Sequence, residues 1–461
     1  MSFRAFLAVS AGKTVRLFCR ILHRGGTAKP GEIALHICPN ILSELSANVT
    51  SIIVTGTNGK TTCTRIVEEG LHQAGLNCFS NKSGANLLKG IVTDFVVNST
   101  LSCKCKYDYA VLETDEAASK KVCEQLNPKV IFVTNLFRDQ VDRFGGVVNT
   151  RDCIRAAISN SPNAVLVLNA DCPVTASLAD NVPNKSVFFG LSENAARKCV
   201  GKGVSDLTEC ILCGSKYEYS YVTFSHLGGF RCPNCGARRP VADYEVTDIL
   251  SQSLSGSTVQ ASVPSNDGTS MSVSLDINLP AVYNIYNALG AYAAISVIGI
   301  SSSSAALALK TFKCGFGRME PLNLGEKGGK MILVKNDAGC NQVIQFLRGV
   351  HEDFVLSIYL NNNISDGVDI SWLENVEFEF LNECPVQKIY VSGMRIEEMY
   401  QRLLKAGIPE NLLFKEPNKV KLVKELKSSK YSVFIMPTYT GMMEVRSEII
   451  RQCGGSEFWE G

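Results

Sequence analysis

The chain has 461 residues, which at about 150 residues per domain allows two to four domains. Hydrophobic residues make up 45% and charged residues 20% of the sequence, and this balance excludes an intrinsically disordered chain and a collagen-like one. Lysine and arginine total 46 against 44 aspartates and glutamates, which gives a net charge of +2. Because such a chain has no overall basic field, we expect no nucleic-acid partner.

The N-terminal segment predicts a basic amphipathic helix, then a break rich in glycine and proline, then a short helix. Its apolar run is interrupted by four basic residues, so a secretory signal peptide is not predicted; they are Arg4, Lys13, Arg16 and Arg20. No other stretch has the roughly 18 uncharged apolar residues that a membrane span requires. We favour packing of the first helix on the next domain over contact with a membrane surface. The 18 cysteines are scattered, which is typical of a reducing compartment, and we predict a cytoplasmic protein.

Apolar segments alternate with glycine turns and helical patterns from residue 51 onward. The predicted strands of this region are residues 51–54, 109–112, 130–134 and 164–169. Such alternation predicts an α/β fold with a parallel sheet covered by helices on both faces. The pattern restarts after residue 317, with predicted strands at 331–334, 354–360, 388–391 and 432–436. The predicted division is an N-terminal helical segment (1–45), a central domain (46–316) with an insert at 207–240, and a smaller C-terminal α/β domain (317–461).

A glycine-containing loop joins the first predicted strand to the helix that follows it. Gly56 and Gly59 allow backbone N–H groups to turn inward around a phosphate, and the helix N-terminus adds positive potential. Lys60 is expected to reach the β and γ phosphates of a nucleotide, and the Thr61 hydroxyl is expected to bind Mg²⁺. The common motif has a further glycine where this chain has Val54. The alternative is a tight turn with an incidental lysine.

Glu113 follows the second predicted strand. A carboxylate at the C-terminal end of a parallel strand, beside a phosphate loop, can bind Mg²⁺ because hard cations prefer oxygen ligands. Asp115 and Glu116 are weaker candidates for the same role. The alternative for Glu113 is a solvated acidic turn.

The insert contains two Cys-x2-Cys pairs separated by 18 residues, the spacing of a structural Zn²⁺ ribbon. The predicted ligands are Cys210, Cys213, Cys232 and Cys235. Four thiolates complete a tetrahedron and leave no position for a catalytic water, so the site is predicted to be structural. Gly214 and Gly236 allow the backbone to curl toward the sulfur atoms. His226 is predicted to be a surface histidine. The alternatives are a redox dithiol and a nucleic-acid-binding module, which rests on Arg231, Arg238 and Arg239.

These motifs resemble the Mur ligases, which activate a carboxylate with ATP as an acyl phosphate. The ATP loop of that family is similar to a run of seven residues here: Gly56, Thr57, Asn58, Gly59, Lys60, Thr61 and Thr62. Residues 113–117 resemble its acidic Mg²⁺-binding segment, and residues 134–143 resemble its segment next to the γ-phosphate. Its nucleotide contacts are matched by residues 169–171, 283–288 and 317–320, which implies contacts from Asn284 and Arg318.

Within that family the chain resembles the MurT branch, the ligase subunits of lipid II isoglutaminyl synthase. The points of similarity are an early ATP loop with no room for a uridine-binding domain, the four-cysteine insert, and residues 365–372 in the C-terminal domain. The resemblance implies ATP-dependent amidation of the D-glutamate α-carboxylate of lipid II at the cytoplasmic membrane face. An alternative is a Mur-related ligase of folate or cyanophycin type that adds an amino acid.

The resemblance also implies a partner, because no Gly-x-Cys-x-Gly nucleophile motif is present to release ammonia from glutamine. In the MurT branch that reaction belongs to a separate GatD-type amidotransferase. An aspartate of the C-terminal domain is expected to complete the partner's Cys-His pair, and the matching residue is Asp369, with Asp366 as the second choice. ATP, Mg²⁺ and Zn²⁺ are the expected cofactors, and Lys60 is the expected catalytic cation.

Overall fold

The computed structural model describes residues 2–21, 26–81, 85–137, 146–199, 207–265, 267–313 and 317–454. The helices of this part of the chain are α1 (Phe3–Ile21), α2 (Lys29–Ile37), α3 (Ile41–Ser46), α4 (Lys60–Gln73), α5 (Leu88–Asn98), α6 (Glu116–Cys123), α7 (Val147–Ser159), α8 (Pro173–Ala176), α9 (Glu193–Arg197), α10 (Val282–Val297), α11 (Ser302–Thr311), α12 (Asp337–Arg348), α13 (Ile396–Lys405), α14 (Lys419–Lys427) and α15 (Tyr439–Cys453). Short 3₁₀ turns span Ser177–Ala179, Ser371–Asn375, Phe378–Glu383 and Glu410–Leu412.

The strands of the same residues form three sheets. In chain order they are β1 (Thr50–Thr55), β2 (Cys78–Ser80), β3 (Tyr109–Glu113), β4 (Val130–Val133), β5 (Val165–Asn169), β6 (Ser186–Leu191), β7 (Glu218–Phe224), β8 (Leu227–Arg231), β9 (Tyr244–Gln252), β10 (Ser257–Pro264), β11 (Ser270–Ile277), β12 (Arg318–Leu322), β13 (Gly329–Ile332), β14 (Phe354–Leu360), β15 (Val386–Gly393), β16 (Leu413–Lys415) and β17 (Ser432–Pro437).

The central sheet has the strand order β11-β10-β9-β6-β5-β4-β1-β3-β2 within the described residues. Strand β1 is parallel to both β3 and β4, and Val54 lies opposite Glu113 on one side and Phe132 on the other. Helices cover both faces, so the inner strands are buried continuously and their sequences are apolar runs. The carboxyl ends of β1, β3 and β4 therefore meet at one edge, where the phosphate loop begins.

One edge of the central sheet departs from the predicted parallel arrangement. Strands β9, β10 and β11 are joined by hairpins and pair antiparallel. Along β10 buried and half-exposed residues alternate, as expected for a strand with only one covered face. The predicted strands did not include β9 and β10, so the sheet is mixed and larger than predicted.

Helices α1 to α3 pack on the central domain. Ala5, Ala8 and Val9 of α1 are fully buried in the same apolar core as the central sheet. The Lys13 ammonium donates a hydrogen bond to the Val97 carbonyl of α5 at 3.0 Å. The inner face of α1 is thus held by packing, as the sequence favoured.

The C-terminal domain is built on a six-stranded sheet of the described residues, ordered β12-β13-β17-β14-β15-β16. Strands β13 to β17 are parallel and β12 is antiparallel at one edge. Alternate residues of β14 face two separate apolar clusters: Leu356 packs in one, with Ile344 of α12, and Val355 in the other, with Leu422 of α14. This is the period of two expected for a strand covered on both faces.

Candidate active site and metal centre

The loop between β1 and α4 has a conformation that requires glycine. Gly56 has φ +121° and Gly59 has φ +87°, both in the left-handed region. A Cβ atom on Gly56 would overlap Thr134 and Asn135, and one on Gly59 would overlap Asn287. The loop can therefore approach its neighbours only because these two positions lack side chains.

Residues that follow β4 hold this loop in place. The Thr57 N–H donates to the Asn135 carbonyl at 2.8 Å, and the Asn58 N–H donates to Asn135 Oδ1 at 2.9 Å. The Thr134 hydroxyl donates to the Asn58 carbonyl at 2.6 Å. The loop is thus fixed by the segment that the Mur ligase resemblance places beside the γ-phosphate. Residues 138–143 of that segment lie outside the described residues.

Lys60 lies at the first turn of α4 and is only 9% exposed. Its ammonium donates to the Gly56 carbonyl, to the Thr57 carbonyl at 3.3 Å and to Glu116 Oε1 at 2.7 Å. The sequence analysis ranked Glu116 low as a metal ligand and did not identify it as the partner of Lys60. The available signal was its position in the first turn of α6, three residues after the end of β3.

Thr61 and Glu113 are brought together by the ends of two neighbouring strands. The Thr61 hydroxyl donates to Glu113 Oε2 at 2.7 Å. Asn81 fixes the backbone of Glu113 from the other side, accepting from its N–H at 2.8 Å and donating to its carbonyl at 2.7 Å. A hydroxyl and a carboxylate at this distance are a hard oxygen pair that suits Mg²⁺.

Asp115 serves as a helix cap. Its Oδ1 accepts the N–H of Ala117 at 3.0 Å at the start of α6. Burial and the neighbouring Glu116 charge raise the pKa of Asp115. This position therefore shapes the loop after β3 and leaves Glu113 as the carboxylate beside Thr61.

Two features of the loop fit a bound phosphate. The Nδ2 atom of Asn58 is buried and has no hydrogen-bond partner, so it is a donor available to a ligand. No side chain caps the N-terminus of α4, and the first N–H groups of a helix have no carbonyl partner within the helix. An anion there would satisfy both sets of donors.

A cleft runs from this loop to the C-terminal domain. Its lining includes Asn58 and Gly59 from the loop, Asn284 from α10, Gly317 from the domain connection and Gln342 from α12. Both domains thus contribute to one site next to the phosphate loop. The contribution of Gln342 was not predicted, because a glutamine on an amphipathic helix carries no recognisable motif.

Asn284, the predicted adenine contact, is engaged within its own helix. Its Nδ2 donates to the Pro280 carbonyl at 2.7 Å, and its Oδ1 accepts from Asn287 at 3.1 Å. It lines the cleft, but its polar atoms hold the start of α10. Arg318 opens strand β12 at the edge of the cleft, and its side chain lies outside the described part of the structure.

Two acidic residues from the predicted nucleotide-contact segments are buried in ion pairs instead. Asp171 is fully buried; it accepts from Arg239 Nε at 2.7 Å and from the Tyr286 hydroxyl at 2.5 Å. Glu320 accepts from Arg446 Nε at 2.9 Å and from the Gly317 N–H at 2.7 Å. Asp171 therefore fastens the ribbon insert to the central domain, and Glu320 anchors the domain connection.

The four predicted cysteine ligands converge. Their sulfur atoms all lie within 4.8 Å of one another, with 3.6 Å between those of Cys210 and Cys235 and 3.5 Å between those of Cys213 and Cys232. Zinc–sulfur bonds of about 2.3 Å imply edges of about 3.8 Å in a tetrahedron, so the cluster fits Zn²⁺. Backbone and hydroxyl donors of Ser215 lower the pKa of Cys213, whereas the neighbouring cysteine thiols contribute to raising the pKa of Cys235.

The two knuckle glycines behave as the sequence indicated. Gly214 and Gly236 have φ of +75° and +79°. Their N–H groups donate back to the carbonyls of Cys210 and Cys232 at 2.8 and 3.1 Å. Each pair of cysteines is thus closed by the same backbone turn.

His226 is buried, which corrects the prediction of a surface histidine. It is 2% exposed, its Nε2 lies 3.4 Å from the sulfur of Cys172, and its ring packs on Phe137 at 5.0 Å. The turn between β7 and β8 carries it into the central domain. Phe224, from the same hairpin, lines the nucleotide cleft.

The two aspartates of the C-terminal domain have different environments. Asp366 is buried and accepts from both the N–H and the hydroxyl of Thr440, at 2.6 and 2.5 Å. Asp369 is exposed and accepts from the Ser371 N–H and hydroxyl, both at 2.8 Å. These donors lower the pKa of Asp369. Asp366 therefore joins its loop to α15, whereas Asp369 is accessible at the surface.

None of the helices in the described ranges combines the length and the apolar character needed to cross a bilayer.

Family models match two segments of the chain. The Mur ligase middle domain matches residues 54–237, and the MurT ligase C-terminal domain matches residues 333–442.

Solved structures with a similar fold cover most of the chain. A pseudomurein peptide ligase type C from Methanothermus fervidus has a TM-score of 0.67 and 21% identity, covering 90% of this chain and 81% of its own. A folylpolyglutamate synthase from Mycobacterium tuberculosis has a TM-score of 0.60 and 12% identity, covering 90% and 95%. At these identities the likeness shows the Mur ligase fold alone.

Two curated relatives align over nearly the full length. Both are named lipid II isoglutaminyl synthase (glutamine-hydrolyzing) subunit MurT. The protein from Streptococcus pneumoniae is 33% identical over 456 residues, covering 97% of each chain. The protein from Staphylococcus aureus strain COL is 29% identical over 458 residues, covering 98% of this chain and 100% of its own. The chain belongs to the MurT family of Mur ligases.

Proposed function

We propose that this protein is the ligase subunit of an enzyme that amidates the α-carboxylate of D-glutamate in the stem peptide of lipid II, giving D-isoglutamine. The observation that carries the proposal is the phosphate loop with Thr61 and Glu113 paired at its mouth, in a chain similar over its whole length to subunits of that name. The product belongs to peptidoglycan biosynthesis.

The first step consumes ATP. An oxygen of the substrate carboxylate attacks the γ-phosphorus, and the bond from that phosphorus to the bridging oxygen breaks. The products are ADP and an acyl phosphate. The loop N–H groups, Asn58 Nδ2 and Lys60 would hold the phosphates, and Lys60 would exchange Glu116 for a phosphoryl oxygen. Mg²⁺ held by Thr61 and Glu113 would neutralise negative charge on the transferred group.

The second step forms the amide. Ammonia attacks the acyl carbon, the bond between that carbon and the phosphate oxygen breaks, and phosphate leaves while the nitrogen releases a proton to water. Neither Cys340 nor Cys384 of the C-terminal domain is an activated nucleophile: Cys340 is buried, and burial raises its pKa and raises that of Cys384 to about 11. From the similarity to subunits of a glutamine-hydrolyzing synthase, ammonia is proposed to come from a GatD-type glutamine amidotransferase subunit.

Asp369 is the proposed contact with the catalytic centre of that partner. It is accessible, and its lowered pKa keeps it ionised, as required of a carboxylate that orients a histidine. The flanking side chains Ile364 and Val368 are 79% and 65% exposed. Exposed apolar residues around an ionised carboxylate are a suitable surface for a protein partner.

The four cysteines are proposed to hold Zn²⁺ in a structural role. Every position of the tetrahedron would be filled by sulfur, so no water could be activated there. The ribbon is fastened to the central domain through Arg239 and Asp171. The metal would thus stabilise a part of the wall of the nucleotide cleft.

The proposal is tested with purified protein, detergent-solubilised lipid II, ATP and ammonium chloride. Mass spectrometry of the stem peptide should show replacement of a hydroxyl by an amino group, with one ADP formed per amide. If the reaction required an amino acid such as glutamate instead of ammonia, the proposal would be wrong. The protein would then be an amino-acid-adding ligase of folate type. Adding the amidotransferase subunit should allow glutamine to replace ammonium.

A further inference from the structure

The outward face of helix α1 is apolar and uncovered. Leu17, Phe18 and Ile21 are 58%, 59% and 63% exposed. At 100° per residue these positions fall on the same side of the helix as the exposed Phe3 and Leu7. The opposite side, with its small buried residues, packs on the central domain. The packing expected from the sequence therefore uses only half of the helix surface.

The charges of α1 identify the kind of surface that fits this face. The helix sequence contains no acidic residue, and two exposed basic residues, Arg4 and Arg20, lie on either side of the apolar stripe. The other two, Lys13 and Arg16, face α5. An apolar stripe between basic side chains matches the interface of an anionic bilayer. The apolar side chains would be buried among the lipid tails, and the basic side chains would pair with the anionic headgroups.

The direction of α1 places its C-terminal end toward the start of α5. Lys13 bonds to Val97, and the charge of Arg16 acts on Asp94, so α1 runs antiparallel to α5. Ile21 therefore points toward the start of α5, where Leu87 is also 57% exposed. The preceding carbonyl of Asn86 accepts the N–H of Asp115 beside the phosphate loop.

We propose that the outward face of α1 docks the enzyme on an anionic phospholipid surface. The side chains of Leu17, Phe18 and Ile21 enter the headgroup region, and Arg20 contacts lipid phosphates. The biological role of this docking rests on the proposed function, because a lipid-linked substrate has its reactive peptide close to the bilayer.

The test measures co-sedimentation of the full chain with vesicles that contain no lipid II. Vesicles of phosphatidylglycerol and phosphatidylethanolamine should bind the protein, and vesicles of phosphatidylcholine alone should bind it at least tenfold more weakly. The double variant F18E/I21E should lose at least tenfold in binding, and R20E about fivefold or more. The matched control is V241E, at an apolar position of the ribbon region that is 89% exposed; it should bind like the parent.

Equal binding by parent and F18E/I21E would overturn the proposal, as would failure of the parent to bind anionic vesicles. A parent dimer that F18E/I21E converts to monomer, without vesicle binding, would assign this face to a second copy of the chain instead. Amidation of lipid II in detergent is measured in parallel. If it succeeds while vesicle binding fails, only the docking inference is wrong; if it fails for the parent, the proposed function is wrong.

Discussion

Lys60 and Glu116 form a nearly buried ion pair, 2.7 Å apart, at the phosphate loop. Each side chain is only 10–11% exposed, so removing one partner leaves a poorly solvated charge. We expect E116A to lower the free energy of unfolding by about 1–3 kcal/mol in the absence of nucleotide. The loss of unfolding free energy should be smaller with saturating Mg-ATP, because a phosphate of the nucleotide then pairs with Lys60. Urea denaturation with and without nucleotide checks both parts; a loss unaffected by nucleotide would contradict the exchange of partners.

Two substitutions of Thr61 distinguish the contribution of its hydroxyl to activity from the contribution of the loop conformation. T61A removes the group that bonds Glu113, and we expect the rate of ATP turnover to fall about a hundredfold or more. T61S keeps the hydroxyl and should retain most of the rate. Steady-state ADP release measures both variants, and comparable rates for T61A and T61S would exclude Thr61 from the metal site.

The cysteine cluster predicts one zinc ion per chain. C213S should lose that ion, and its melting temperature should fall by at least about 5 °C because a structural metal contributes directly to folding. C153S, at a half-buried cysteine of α7 outside the cluster, is the control. Elemental mass spectrometry and calorimetry are the measurements. Full zinc content in C213S would remove Cys213 from the ligand set.

Asp369 is predicted to act only in the reaction that uses glutamine. D369N, in complex with the amidotransferase subunit, should lose at least about tenfold in glutamine-dependent amidation and keep the ammonia-dependent rate. D353N alters an exposed aspartate just before β14, at the other end of that strand, and should change neither rate. The pKa of Asp369 is lowered from 3.8, so its carboxylate stays ionised between pH 5 and 8. Titration of Asp369 should therefore cause no change of activity in this range. Equal loss of both reactions in D369N would place Asp369 in the ligase site or in folding.

Asp94 of α5 gives a prediction for pH. Burial raises its pKa to about 7, although the charge of Arg16 opposes this, and its Oδ2 has no hydrogen-bond partner. A carboxyl with a raised folded-state pKa favours folding below about pH 4, and this contribution is lost as the pH rises to about 7. D94N should therefore raise the free energy of unfolding at pH 8 by about 1–3 kcal/mol. The gain should disappear toward pH 4, and a gain independent of pH would refute this origin.

The phosphate loop and the cysteine cluster were predictable because each depends on residues close in sequence. Gly56 and Gly59 need their positive φ angles for the loop itself, and the knuckle glycines follow their cysteines directly. The strand and helix alternation similarly predicted most parallel strands of both sheets, although β2, β6 and β16 were not predicted. Strands β9 and β10 were missed because their half-exposed residues are mostly polar, so no apolar run marks them.

Contacts between distant segments were beyond the sequence patterns. The pairing of Lys60 with Glu116 spans 56 positions, and it depends on where α6 begins relative to the loop. His226 was predicted at the surface because four cysteines already complete the metal site, yet the hairpin turn inserts it against Phe137. Asp171 lies in a segment that resembles a nucleotide contact, but only the folded chain shows Arg239 already bonded to it.

The β7–β8 hairpin connects the cysteine cluster to the cleft beside the phosphate loop, so a metal bound by the cysteines would affect the proposed reaction. Phe224 forms part of the wall against which the nucleotide would lie, while the cysteines anchor the outer end of the same insert. Zinc depletion should therefore weaken nucleotide affinity before it unfolds the chain.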